Sequence, residues 1–594
     1  EELKEESDSG APPPVGARHA WPLRVFLATM AVLALAVAWY FLRPGAEMVA
    51  SLKAVPLTTY PGQEWSPSFS PDGNQVTFAW NGEKQDNFDI YVLMVGTGAR
   101  LRLTQDPATD YSPAWSPDGR YVAFLRQLPQ GISGVFLVPP IGGRERKLAE
   151  IAAPFPVFLT PFAARLAWST DSHWLAAPNK LSLVLISTET GEQRELTSPP
   201  PPRRDGDPAF SPDGRTLAFI RYAGYAGDLY AVHLTQDLKP VGAPLRLAGD
   251  ARMLHAPHWT PRGDEIVFSW GYPTSLGLWR IPATGTGEPR PVEVPGVDVH
   301  HPALSRQGSR LACAQWYYDS DIWRIELEGP GGKPARTSRL ISSTRLDLEP
   351  QFSPDGQRIA FSSFRSGSEE VWVCDADGSN AIQLTSFGGP VGGAPRWSPD
   401  GENIVFDQRA AGDANIYVIS ARGGRPRRLT LDSAEDRAPS WSRDGKWIYY
   451  ISDRSGWPQV WKMPAAGGEP VQVTKQGGDY PLQSFDGEFV YYAWRPGLWR
   501  VRLADGEETP VLESLNHGSH FAVAENGICF IPGQKPGAAA LVQFLEFSTG
   551  AVRTLATIEK LVYLGLSVSP DGRSILYTQV DNLDSDLMLV ENFR

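Results

Sequence analysis

A chain of 594 residues with 42% apolar side chains holds enough material for several packed cores, which excludes a disordered polymer. Its 57 glycines and 53 prolines, with no three-residue glycine period, exclude collagen and point to a turn-rich all-β protein. A formal charge of −12, from 55 basic and 67 acidic residues, excludes a surface built to neutralise phosphates along its whole length, so no nucleic acid is expected to contact this chain.

Residues 1–22 read as a linker, acidic from Glu1 to Asp8 and stiffened by Pro12, Pro13 and Pro14. From Val25 to Leu42, eighteen residues carry Thr29 as their one non-aromatic polar side chain. With Leu23 and a snorkelling Arg24, that run approaches the roughly 30 Å of bilayer hydrocarbon. Trp21, Trp39 and Tyr40 fall where an interfacial aromatic belt would lie. The expectation is a single transmembrane helix over residues 23–43, with the lipid bilayer as the partner of Leu23 to Leu42. A cleaved signal peptide would instead have a shorter apolar region behind a basic leader. Arg18 and Arg24 before the run balance Arg43 and Lys53 after it, so charge alone sets no orientation.

The remainder is dominated by internal repetition. Ser-Pro-Asp-Gly begins at Ser70, Ser116, Ser211, Ser353, Ser398 and Ser569, and degenerate copies begin at Ser169, Thr260, Ser305, Ser442, Ser484 and Ala524. Successive copies stand 40 to 53 residues apart, the size of one propeller blade. Each tetrapeptide has the chemistry of a tight turn, because Pro fixes φ, Asp bonds nearby amides and Gly tolerates positive φ. A short strand such as Pro113–Trp115 precedes it, and an alternating one such as Val122–Phe124 follows. Third strands such as Asp89–Val92, Asp321–Trp323 and Asn415–Val418, and fourth strands such as Leu101–Thr104, complete four antiparallel strands per unit.

Twelve units exceed the usual four to eight blades of one ring, so the expected fold is all-β, with two six-bladed propellers behind one N-terminal transmembrane α-helix. The first propeller is expected over residues 52–328, a Gly/Pro-rich linker over 329–335 and the second propeller over 336–594. Units six and twelve lack obvious fourth strands. Lys53 to Thr58 and Arg339 to Ser343 would supply them and remove free sheet edges.

Residue patterns that carry chemistry are sparse. Cys313, Cys374 and Cys529 are far apart and belong to no CxxC motif, so buried free thiols are expected. No GxSxG elbow, HExxH motif, P-loop or complete GxGxxG is present, so no enzyme, cofactor or metal is expected. The recurring turn aspartates, such as Asp72 and Asp118, are better explained by turn geometry than by cation binding. Glu64, Asp110, Asp205, Asp347 and Asp436 each stand three residues before the proline of a first strand, equivalent places near a channel mouth. An acidic rim there would bind a cation or basic peptide, and solvated loop charge is the alternative. His255 and His300 stand two residues before that proline in neighbouring units, beside His258 and His301, where neutral imidazoles would suit a pH switch or a transition metal. Trp115, Trp259, Trp397, Trp441, Trp461 and Trp499 occupy repeat-core positions suited to packing between blades.

The repeated (W/F)SPDG turn, the apolar-aromatic strand after it and the (D/N)IY third strand resemble the TolB-type bacterial β-propeller family, related to WD repeats, across about residues 52–594. The stretch Val55 to Arg126, with Tyr60-Pro61-Gly62, Trp80 to Lys84, and Asp106-Pro107 leading to Asp110-Tyr111-Ser112-Pro113, resembles membrane-anchored CadC/ToxR-like regulators. That resemblance implies a winged-helix DNA-binding domain outside this sequence, a single-pass helix in a bacterial inner membrane, and a periplasmic propeller that senses a protein, peptide or glycan at its channel mouths. A TolB-like envelope scaffold and the external part of a receptor Ser/Thr kinase are the alternative expectations.

Overall fold

A computed structural model describes residues 54–152, 165–201, 203–223, 226–249, 252–271, 276–294, 298–329, 332–389, 392–411, 413–534 and 538–593. The expected linker 1–22 and transmembrane helix 23–43 lie outside the described residues. Among the described residues no helix is long and apolar enough to cross a membrane.

The described chain is all-β and propeller-like: ten four-stranded antiparallel sheets and one six-stranded sheet, with a short 3-10 turn at Pro129–Gly131. Each repeat motif is the hairpin between the first two strands of its sheet. At the first motif, Ser70 Oγ donates to Asp72 Oδ1 and accepts from the Gln75 amide at 2.9 Å, and Asp72 Oδ1 accepts from the Asn74 amide at 3.1 Å. Gly73 takes φ 72°, which a β-carbon would strain. The turn aspartates are therefore bound into their own turns, and those hydrogen bonds hold Asp72, Asp213, Asp355 and Asp400 below the usual carboxylate range.

Second strands read as near-continuous apolar runs because both of their faces are covered. In the strand Gln75–Trp80, Val76, Phe78 and Trp80 pack with Ala312, Ala314 and Trp316 of the sixth unit. Ala79 points the other way and joins Trp115, Val122 and Phe124 of the second unit. Period-two alternation thus serves two neighbouring sheets at once. The seventh unit does the same with Ile359 and Phe361, which meet Ile322, Ile341 and Leu576. Cys313, Cys374 and Cys529 are free and buried in these cores, and burial pushes their thiols up to about 12.

First strands contact each other in sequence. Glu64–Phe69 packs against Asp110–Trp115, and Val299–Leu304 packs back against Glu64–Phe69. Likewise Asp347–Phe352 packs against Gly392–Trp397, and Val562–Val568 packs back against Asp347–Phe352. At the hairpins, the ideal Cβ position of Gly401 lies 3.8 Å from Pro354, and that of Gly356 lies 3.4 Å from Pro570 of the twelfth unit.

The six-stranded sheet departs from the expected order. Asp321–Trp323 does not fold back as the third strand of its own unit; it continues the second strand as a single strand, Arg310–Leu327. Ser574–Glu591 is likewise one strand of 18 residues, and the two pair antiparallel along their whole length, from Arg310↔Glu591 to Glu326↔Ser574. The physical reason is local: neither 310–327 nor 574–591 contains a Gly or Pro at which to reverse. Elsewhere a turn residue such as Gly367 or Gly456 divides the second strand from the third. The sixth unit consequently takes its third strand from the chain's end, with Ala54–Pro56 as the outermost strand against Met588 to Val590. The twelfth unit takes its third strand from residues 320–326, with Pro334–Ile341 outside it. Residues Lys53–Arg594 form one compact unit.

Candidate functional site

The acidic residues picked out from the sequence open the first strands of their sheets, and they are sealed inside. Asp110, Asp205, Asp347 and Asp436 are all 0% exposed, each on an arginine of the same sheet or its hairpin. Arg126 Nε and Nη2 donate to the two oxygens of Asp110, both at 2.7 Å. Arg221 grips Asp205 in the same fork at 2.7 and 2.9 Å. Both arginines stand directly opposite their acids in the ladder. In the seventh and ninth units the cross-ladder partner shortens or shifts, and Arg365 and Arg454 reach back from the following turn to Asp347 and Asp436. These four are structural clasps between first strand and second, not a solvated rim, because a buried carboxylate requires a partner at close range.

Glu64 is the exception. Its ladder partner is Trp80, so no guanidinium meets it. Thr58 Oγ1 lies 3.0 Å from Oε2, and burial, aided by Asp586 and Asp584, pushes the carboxyl up to about 9, so it carries a proton at neutral pH.

A second recurrent position lies two residues further on, directly before the strand proline. Nine first strands hold a non-glycine residue in the left-handed region immediately before the strand proline: Ser66, Ser112, Asp207, Ala256, His301, Glu349, Ala394, Ala438 and Tyr480, with φ between 46° and 55°. The ladder register shifts there, for example between His255 and His258 and between Leu348 and Gln351. Such a bulge frees the residue's amide from its own sheet. Neighbouring units then capture it: Ala256 N donates to Asp207 Oδ2 at 2.8 Å, Ala438 N to Asp407 Oδ1 at 2.9 Å, Ala394 N to Glu349 Oε2, and Ser66 N to His301 Nδ1 at 3.4 Å. The signal for this position was present in the sequence as the residue directly before the repeated proline.

Two buried polar clusters result. In the first, His255, His300 and His301 come together, with ring centroids 5.3 to 6.0 Å apart. His300 Nε2 lies 2.9 Å from Asp298 Oδ1, and Tyr222 donates to Asp207 Oδ2 at 3.0 Å. Burial pushes His255 and His301 well below the usual imidazole range and His258 down to about 4, so these rings are neutral. Burial lifts Asp207 to about 6 against the opposing charge of Arg165. His255 and His300, at equal positions of neighbouring units in the sequence, thus stand side by side, and Asp207 and Arg165, which no motif singles out, join them.

No motif singles out the second cluster either. Glu349, Glu369 and Asp407 share a buried region with Arg396 and Arg437. Burial and then the charge of Glu349 lift Asp407 to about 7, and Glu369 is pushed well above the carboxylate range for the same two reasons. Nearby, His520 Nε2 lies 2.6 Å from the Tyr563 carbonyl, and burial holds its ring down to about 3. These groups offer hydrogen-bond donors, acceptors and shareable protons along the first strands, an internal polar network that links neighbouring units.

The sequence profile of the TolB beta propeller domain matches residues 47–154 and 332–562, more than half of the chain. Among curated proteins, 71 residues are 39% identical to a putative tricorn protease homolog 2 of Streptomyces coelicolor, covering 12% of this chain and 6% of that protein. Another 69 residues are 33% identical to the Tol-Pal system protein TolB of Hahella chejuensis, covering 12% of this chain and 16% of the relative. The chain thus aligns with only a minor part of each of these relatives. Among solved structures, TolB from Acinetobacter baumannii is 16% identical with a TM-score of 0.34, covering 57% of this chain and 83% of that one. By its profile match across the repeated units, the chain belongs to the TolB beta propeller domain family.

Proposed function

We propose that this chain is a binding platform of two six-bladed propellers held at a membrane, the extracytoplasmic sensing region of a CadC/ToxR-like regulator. The observation that carries the reading is the closure of first-strand contacts after six units, with Val299–Leu304 returning to Glu64–Phe69 and Val562–Val568 returning to Asp347–Phe352. Stacking of the Gly356 turn on Pro570 supports the same closure. A protein or peptide ligand would enter at the mouths beside the first strands, where the clasps at Asp110, Asp205, Asp347 and Asp436 and the buried histidine and carboxylate clusters hold the strands in shape. Binding would bias the position or association of the apolar segment Val25 to Leu42, placed in the inner membrane with the propellers in the periplasm.

The test is a reporter strain expressing the full-length protein with and without residues 54–594. Loss of signal-dependent regulation on deletion supports the reading, and unchanged regulation refutes the sensing role. The family match favours a second reading, a TolB-like envelope scaffold without signalling. It predicts crosslinks from the propellers to envelope proteins and no change in transcription.

A further inference from the structure

A groove of about 810 Å³ lies between the eighth and ninth units, on the side of the repeat turns, lined by Arg425, Arg427, Arg443 and Trp441 among others. Its size suits a small organic molecule rather than a lone ion. Among the described residues none of these three arginines has a carboxylate within ion-pair distance. Arg427 Nη1 donates to the Ala466 carbonyl at 3.0 Å, and Arg443 lies 3.8 Å over the Phe485 ring, with its amide donating to Gln483 Oε1 at 2.7 Å and its Nη2 to the Gln483 carbonyl at 3.4 Å. Arg425 is exposed.

The repeat itself shows that these charges are not demanded by the fold. The eighth unit reads Gly423-Gly424-Arg425-Pro426-Arg427-Arg428 where the ninth reads Gly467-Gly468-Glu469-Pro470-Val471-Gln472, with the same positive-φ glycine pair. Arg428 has a structural duty within its own unit, donating to the Thr430 carbonyl and to Asn415 Oδ1, whereas Arg427 reaches only a backbone carbonyl of the next unit. Arg443 replaces the proline that seven other motifs carry in the turn. The two acids on the wall are already engaged: Asp400 accepts from Ser398 and the Glu402 amide, and Asp444 from Ser442 and from the amide and Nζ of Lys446.

We propose that this groove binds a small organic ligand through a doubly charged oxyanion, a phosphate monoester in the simplest case, with Arg425, Arg427 and Arg443 as its ligands and Trp441 against the organic part. Guanidinium forks match the oxygen geometry of such a group and keep their charge at any physiological pH. The site lies at the repeat-turn end of the ninth unit's first strand, and none of Arg425, Arg427 and Arg443 belongs to the clasps or the buried clusters, so it stands or falls separately from the sensing role.

Calorimetric titration of the full chain with phenyl phosphate, at fixed ionic strength, tests it. Saturable binding is expected, competed by inorganic phosphate and weakened about tenfold in Arg425→Gln and further in Arg425→Gln/Arg443→Gln. Arg422→Gln, which removes an arginine already paired to Glu402, serves as a control with binding unchanged. The exposed Arg425→Gln variant keeps the test valid if the double variant fails to fold. Equal affinity in wild type and Arg425→Gln, or heat no greater than with sodium chloride, overturns the proposal. Sedimentation with phosphatidylglycerol vesicles without binding of the soluble ester also overturns it, because the groove would then be a lipid-surface contact.

Discussion

Leu589→Ala probes the shared sheet, because the strand that carries Leu589 in one unit forms the second strand of another. Leu589 is 5% exposed, pairs with Ala312 and Val55 in the ladder, and packs with Phe78, Leu93 and Leu587. Truncating a buried leucine leaves a cavity and costs about 3 kcal/mol. In a chain of separable domains that loss would stay with the first six units. Here residues 583–591 run without a turn into 574–582, which pair with Val562–Val568 on one side and residues 320–326 on the other. The strain therefore passes along a continuous backbone. Native-state hydrogen exchange reads the effect directly: protection at Ile322, Ile325, Leu566 and Leu576 is expected to fall along with that at Phe78 and Leu311, by up to about a hundredfold. Tyr577→Ala is expected to do the reverse, loosening the first-unit core from the other end. Exchange that accelerates only within residues 54–318 and 583–591 would refute the coupling.

Three further outcomes follow from buried groups. Arg221→Met is expected to destabilise by about 3 kcal/mol in urea denaturation because it strands Asp205, and Asp205→Leu/Arg221→Met to recover most of that loss. Glu64 keeps its proton in the folded state up to about pH 9 but loses it near 4.5 when unfolded, so folding binds one more proton between those values. Stability therefore falls as pH rises through that window, by up to about 1.4 kcal/mol per unit, and Glu64→Gln is expected to flatten the dependence in melts from pH 5 to 9. Cys313, Cys374 and Cys529 are expected to resist a thiol reagent in the native protein at pH 8 and to react together on unfolding; rapid reaction of any one in the native state would contradict its burial.

Much of this architecture was written locally. A serine, an aspartate and a glycine in four residues specify a hairpin through bonds that close within five positions, so the turn at Ser70 is encoded by its own neighbours. Near-continuous apolar runs after each turn fix the second strands, and the three cysteines, set in apolar runs, are buried as their surroundings dictate. The approach of His255 to His300 was legible too, because equal repeat positions in neighbouring units are neighbours in space.

Other features depended on partners far away in the chain. The repeat placed Asp110 and Asp205 at the head of their strands, but only the ladder brought Arg126 and Arg221 opposite them and turned prospective rim charges into internal clasps. The carboxylates Glu349, Glu369 and Asp407 come from three segments, and no spacing rule joins them before the sheets pack. The exchange between Arg310–Leu327 and Ser574–Glu591 is the clearest case. Absence of Gly and Pro tells a strand to continue past residue 318, a short-range instruction about backbone geometry. Which strand it then pairs with, about 250 residues away, is decided by burial of both faces and by saturation of the backbone hydrogen bonds, and those quantities exist only in the folded chain.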